Sequence, residues 1–365
     1  MPQPPLARYF VKPPDWQTTD GIIIITGGLG FIGSCLANYL LAEKQSIIIV
    51  DDETPEKKQN ITNRQPPYLL SKITTPSIPP IITPDELLNF QPTDNIKAVV
   101  HLGALSDTTS QDESLVLKKN THYSQALWQK TIVWQCPFIY ASSAATYGDG
   151  AFGFVEPETI DDLKKLQPRN LYGRSKHLFD IFVFGEKPFA HRTPPFFAGL
   201  KFFNVFGPNE YHKKGQASVV PQFFSQATAT NHMRLFQSTD PTIKHGEQTR
   251  DFVWVMDGVW VIIKLLQFYH QYQTDPSQLK KLSGIFNLGS GQATSFNQMA
   301  HYIMAHIKQP TKIDYIPMPP LLAPHYQNHT LANINKLHSL IDFTPMSIEQ
   351  AVNIYINDFL QTTAT

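Results

Sequence analysis

Cysteine is almost missing from this 365-residue chain, which holds only Cys35 and Cys136. The two lie far apart and without metal-ligand spacing, so no disulfide framework or thiolate metal centre follows, and no metal is expected. Two lone thiols in apolar surroundings fit a reduced compartment. Excess charge is missing too: 30 Lys and Arg balance 30 Asp and Glu. No basic tract is long enough to track a nucleic-acid backbone, which argues against nucleic acid as a main partner. Long apolar runs are also lacking. "VWVIIKLL" is too short to cross a bilayer, and prolines break up "MPQPPLARYFVKPPDW" where a secretory signal needs an uninterrupted apolar stretch. A soluble cytoplasmic protein is the simplest expectation. No internal repeat at solenoid spacing is present.

What is present is enough apolar material, 42% of residues, to fill one large α/β unit with a smaller lobe attached. Residues 1–20 carry five prolines and no periodicity, and read as an N-terminal extension. From Gly21 the β-branched runs "IIIIT" and "SIIIV" flank a helical stretch, the pattern of strands buried on both faces of a parallel sheet. Residues 53–93 are rich in Pro, Thr and Lys and predict loops, with one short helix start at "PDELLNF". "KAVVHLGA", "PFIYASSAATYG" and "LKFFNVFG" read as further strands. They end in small or hydroxylated residues, where an open α/β sheet places its ligand chemistry.

"TGGLGFIGS" supplies glycines at 27, 30 and 33 between the first strand and a helix beginning near Phe31. Glycine lets the backbone approach a pyrophosphate, and the helix N-terminus offers N–H groups and a positive dipole end. Strand, glycine triplet, helix and an acidic second-strand end together predict a dinucleotide-binding Rossmann unit. Asp51 and Asp52 follow the second strand, where a carboxylate accepts hydrogen bonds from the adenosine ribose. Lys57 and Lys58 lie close enough in sequence to supply countercharge for a 2′-phosphate, so these residues leave NAD and NADP both open. The predicted architecture is a doubly wound parallel sheet over 21–205, with 251–290 returning to it as a strand and helix. A smaller mixed α/β substrate lobe is built mainly from 206–365.

"NLYGRSKHLFD" sets Tyr172 and Lys176 four apart, on one face of an amphipathic helix. A phenol with a pKa of about 10 serves as a base near neutrality only when nearby positive charge stabilises its phenolate, which a lysine and an oxidised nicotinamide provide. Ser143, at the end of "YASSAATYG", would donate a hydrogen bond to the same substrate oxygen. Such a pair is ordinarily surface decoration. Downstream of a dinucleotide motif and a Ser-ended strand it reads as catalytic.

With "TGGLGFIG", "HLGALS", "NTHYS", "YASSAATYG", "YGRSK", "FFNVFGP" and "RDFVWVMD" in order, the chain resembles the extended short-chain dehydrogenases and reductases from about residue 22 to its C-terminal helix. Through "FFNVFGPNEYHKKGQASV", "SGIFNLGSGQATSF" and "YIPMPPLLAPHYQ" it is similar to the ADP-glyceromanno-heptose 6-epimerase family. That resemblance implies inversion of C6 of ADP-D-glycero-β-D-manno-heptose through a transient ketone, for lipopolysaccharide heptose. It also implies one tightly bound NADP per subunit, with NAD the alternative, and a homo-oligomer, pentameric in the family's best-known members.

Because the hydride carrier cannot change sides, the ketone must turn, and each of its two poses needs its own proton donor or acceptor. The resemblance assigns the second such group to Lys213 in "EYHKKGQAS", with Lys214 the other candidate. It implies cofactor contacts at Phe31, Ile32, Gly103, Ala104, Ser106, Val205 and Lys213, with Lys58 at the adenosine end. Asn120 would support the loop from the next helix. On the substrate side it implies Asn204 for the sugar, Phe236, Gln237, Ser238 and Thr239 lining the nucleotide pocket, Arg250 gripping the diphosphate, and Tyr326. The chain departs from the family at Lys214–Gln216, at Gln222 in place of a histidine, and at Leu102 in place of a glutamate. His101 reads as an ordinary strand residue.

Three other readings compete. A 4,6-dehydratase needs an acid pair after its catalytic serine or threonine, where this chain has Ala144 and Ala145. A UDP-hexose 4-epimerase would reuse Tyr172 without a second base. A non-catalytic dinucleotide-binding regulator would ordinarily have lost Tyr172 or Lys176.

Overall fold

The structure, a computed structural model, describes residues 21–62, 79–92, 94–186, 193–320, 323 and 326–361. The proline-rich extension 1–20 lies outside the described residues, as does much of 63–93.

Burial on both faces makes the central strands continuous β-branched and aromatic runs. β1 (Ile22–Thr26), β2 (Ile47–Val50), β4 (Ile96–His101), β5 (Phe138–Ser143) and β6 (Phe197–Phe202) are such runs, and β3 (Ile81–Ile82) closes one edge. With β10 (Gly284–Leu288) they form, among the described residues, a seven-stranded sheet in the order β10-β6-β5-β4-β1-β2-β3. Every pairing in it is parallel. Chain order reverses between β1 and β4, which opens the crevice beyond their C-terminal ends where a doubly wound fold takes its ligand. One face is covered by α1 (Phe31–Ala42), the other by α7 (Leu171–Glu186).

Two expectations need correction. Residues 53–62 are not all loop: Pro55–Thr62 forms a helix, α2, whose sequence hides it because over Pro55–Ile61 only Asn60 and Ile61 are buried in an otherwise polar segment. The strand in "RDFVWV" does not rejoin the main sheet. As β9 (Thr249–Trp254) it pairs with β7 (Asn204–Phe206) and β11 (Ala293–Ser295) in a small sheet of its own. The edge beside β6 is already occupied by Gly284–Leu288. The helix that follows, α9 (Val255–Tyr272), does return and packs on α1. A parallel pair, β8 (His232–Phe236) with β12 (Lys312–Ile316), completes the smaller lobe. No helix among the described residues is long and apolar enough to cross a membrane.

Both cysteines are buried, and burial pushes each thiol up to about 12, which leaves them inert at neutral pH.

Candidate active site

The turn between β1 and α1 is built from close backbone approaches. Gly27 has φ +67°, and a Cβ there would sit 2.6 Å from the Gly103 nitrogen; a Cβ on Gly33 would sit 2.1 Å from the Gly27 oxygen. Only glycine fits either place. No side chain caps the N-terminus of α1 at Gly30, and its first turn, with Phe31 and Ile32, holds no acid. A cradle of bare backbone ending on an uncapped helix fits a dinucleotide pyrophosphate.

At the end of β2, Asp51 is buried and Asp52 exposed. Asp51 accepts from the Leu29 amide at 3.0 Å and from Lys57 Nζ at 2.7 Å. Lys58 pairs instead with Glu53 on the exposed surface, and Lys119 with Asp52. The cation beside the buried Asp51 carboxylate is therefore Lys57.

The loop after β4 brings Gly103, Ala104 and exposed Ser106 past the glycine turn, with the Gly103 amide donating to Thr26 Oγ1 at 3.1 Å. Asn120 lies in a π-helical turn, Leu117–His122. Its Oδ1 accepts from the Leu105 amide at 2.7 Å, and its Nδ2 donates to Leu105 O at 3.0 Å and to Ser175 Oγ at 2.9 Å. Ser175 Oγ in turn donates to the Tyr172 carbonyl at 2.7 Å, so one side chain ties the loop to the helix that carries Tyr172. His101 is bonded to Thr26 Oγ1 at 2.6 Å and Ser124 Oγ at 2.7 Å, and burial holds its pKa well below the ordinary value. It is a satisfied strand residue.

Tyr172, half-buried, and Lys176, buried, stand on the first turns of α7. Burial raises the phenol pKa and the Ser143 hydroxyl pulls it partly back. Burial lowers the Lys176 ammonium to about 8 against an upward pull from Asp180. Ser143 Oγ also accepts the Ala145 amide at 3.1 Å, which fixes it at the strand end. Behind them Asp180 forms a fully buried ion pair with Lys201 at 2.7 Å and accepts from Tyr140 and Ser142. A satisfied pair of this kind fixes geometry more than it adds stability.

Lys213 and Lys214 part company. Lys213 Nζ sits 5.2 Å from the centre of the Phe31 ring, and burial lowers its pKa against an upward pull from Glu210. Lys214 is exposed and adopts φ 49°, ψ −122°. The turn Tyr211–Gln216 is anchored by Glu210, a residue with no sequence signal of its own. Fully buried, Glu210 accepts from Ser218 Oγ at 2.7 Å, Gly207 N at 3.3 Å and Tyr355 OH at 3.2 Å, which staples both ends of the loop. The Thr109 hydroxyl and amide hold the Asp107 carboxyl low, and Gln216 adds a smaller pull from its loop. Gln222 donates to Ala217 O at 2.6 Å, so here it braces the loop.

On the smaller lobe, Asn204 is exposed and Val205 half-buried on β7. Arg250 is buried, stacked 4.6 Å from the Tyr326 ring and 5.6 Å from Phe296. It makes no pair with neighbouring Asp251, whose carboxylate is filled by the Ser290 amide and hydroxyl and the amides of Gly291 and Ala332. Burial outweighs these donors and raises that carboxyl to about 6. Phe236 ends β8, and Gln237, Ser238 and Thr239 follow it. Gln237 Nε2 donates to Tyr315 O at 3.3 Å, and the Ser238 amide donates to His245 at 3.1 Å.

Comparison with known proteins gives four concordant matches. The model of the NAD-dependent epimerase/dehydratase family matches residues 23–289. ADP-L-glycero-D-manno-heptose-6-epimerase of Nitratidesulfovibrio vulgaris is 36% identical over 343 residues, 92% of this chain and 97% of that protein. The enzyme so named from Fusobacterium nucleatum is 36% identical over 349 residues, 93% and 98% of the two chains. The crystal structure of the Helicobacter pylori ADP-L-glycero-D-manno-heptose-6-epimerase superposes with a TM-score of 0.72 at 26% identity, covering 97% of this chain and 99% of that one.

Proposed function

Since this chain belongs to the NAD-dependent epimerase/dehydratase family, we propose that it is an isomerase that inverts C6 of ADP-D-glycero-β-D-manno-heptose to the L-glycero epimer. A nicotinamide dinucleotide held in the glycine cradle, NADP in this reading, would take up the C6 hydride and return it to the other face.

The protein's own part is proton handling and positioning. Tyr172 accepts the hydroxyl proton in one pose, with the Lys176 charge favouring its phenolate and Ser143 donating to the same oxygen. Lys213 serves the other pose, and its lowered pKa lets it be neutral part of the time. Arg250, buried and pre-oriented by stacking on Tyr326, grips the diphosphate while the sugar turns. The reading also includes a cytoplasmic homo-oligomer that supplies heptose for lipopolysaccharide.

The observation that carries this reading is the placement of Lys213 against Phe31, the first residue of the helix that receives the pyrophosphate. A two-base epimerase needs a second titratable group there, and a one-base 4-epimerase does not. Proton NMR of ADP-D-glycero-D-manno-heptose incubated with the protein should show the L-glycero epimer appear. Conversion of UDP-hexoses instead would overturn the proposal.

A further inference from the structure

Asn60 is only 1% exposed although it belongs to a polar surface helix, and three elements meet on it. Its Nδ2 donates to the Leu29 carbonyl in the glycine turn at 2.9 Å and to the Asn209 carbonyl at 3.3 Å, and lies 3.3 Å from His212 Nδ1. Its own carbonyl accepts from Asn38 Nδ2 on α1 at 2.9 Å and from Asn209 Nδ2 at 3.4 Å. Asn209 also donates to Ser34 Oγ on α1 at 3.0 Å. A left-handed φ of 72° turns the chain at Asn209. The amide of Lys213 then donates to the Glu210 carbonyl at 3.0 Å, so the lysine stands one short turn beyond the asparagine pair. Both carboxamides use their donors here: Oδ1 of each is buried without a partner.

We propose that Asn60 and Asn209 are positioning residues for Lys213, locking the loop that bears it onto the turn that would hold the dinucleotide. Lose the Asn60 carboxamide and two carbonyls, Leu29 and Asn209, lose their shared donor. Water must then replace it, which lifts the 209–213 loop from α1, resolvates the Lys213 ammonium and moves it off Phe31. The proposal rests on the reading of Lys213 as second acid/base, and the test separates the two.

The test is a double-mutant cycle on the holoenzyme. Asn60→Ala should lower kcat about 30-fold while leaving KM and the dinucleotide content of the purified protein near their parent values. Placed in Lys213→Ala protein, the same change should alter the residual turnover less than about twofold, because the group it positions is gone. Asn209→Gly keeps the left-handed backbone and deletes the carboxamide. It should repeat both results, and it decides the matter if Asn60→Ala melts early. Equal losses with and without Lys213, or no loss with Lys213 present, overturn the positioning role. Full turnover by Lys213→Ala itself would instead overturn the two-base reading beneath it.

Discussion

The Lys213 ammonium lies over the face of Phe31 at 5.2 Å, joining a loop of the smaller lobe to the first residue of α1. Two effects oppose at that contact. The ring attracts the cation, while burial disfavours it and lowers the pKa. Burial therefore makes it easier for Lys213 to give up its proton, while Lys214 beside it stands exposed on the surface. Lys213→Ala should therefore cut kcat about a thousandfold. Lys214→Ala should stay within about twofold of the parent. Steady-state turnover of the two variants checks this, and the reverse ranking would move the second proton-handling role to Lys214.

Lys214 carries backbone strain of its own. At φ 49°, ψ −122° it occupies a region that a side chain makes costly and glycine does not. Lys214→Gly should stabilise the protein by about 1 kcal/mol. Thermal unfolding would show a small rise in Tm with turnover retained. A fall in Tm would mean that the lysine side chain makes up for the strain.

Lys176 sets catalysis against stability. Its folded pKa of about 8 lies below the unfolded lysine value. Between those two values the unfolded chain holds a proton the folded chain has shed, so stability rises with pH through that window, and below it the full cost is present. Lys176→Met should relieve up to roughly 3 kcal/mol at pH 7. That gain should shrink to nothing by about pH 10.4. Turnover should fall at least about a hundredfold at every pH. Paired denaturation curves at the two pH values test the sign directly.

The sheet and the glycine cradle were legible because each rests on a local pattern: unbroken apolar runs, and a strand, glycine triplet and helix in sequence. The shared helix of Tyr172 and Lys176 was legible in the same way, through i,i+4 spacing. What stayed hidden depends on tertiary neighbours. β9 reads like a core strand, but it pairs with β7 and β11, while β10 holds the edge beside β6. Asn60 looks like one more polar residue until α1 and the 209–213 loop close over it. Adjacent Lys57 and Lys58 point in different directions on α2, and only the fold says which meets Asp51.

Arg250 should act on binding more than on chemistry. Its guanidinium lies over the Tyr326 and Phe296 rings, and Nη1 donates to the Thr249 carbonyl at 2.9 Å. Lysine keeps the charge but neither the stack nor the fork. Arg250→Lys should raise KM about 30-fold with kcat within about threefold. A loss confined to kcat would place Arg250 in the turning of the sugar instead of the grip on its diphosphate.

Lys57 should decide which dinucleotide is preferred. Each oxygen of Asp51 already accepts one bond, from the Leu29 amide and from the Lys57 ammonium, so a ribose diol would share the carboxylate with that cation. A 2′-phosphate arriving there would exchange one anion for another at the same ammonium, with a second negative charge to bind. Lys57→Ala should therefore weaken NADP about tenfold while NAD holds or tightens, since the freed Asp51 can then accept from the ribose hydroxyls. Lys58→Ala should change neither, because that ammonium faces Glu53 at the surface. Fluorescence titration of dinucleotide-free protein separates the cases. Equal weakening of both dinucleotides would mean that Lys57 serves the fold of the β2 end and not the phosphate.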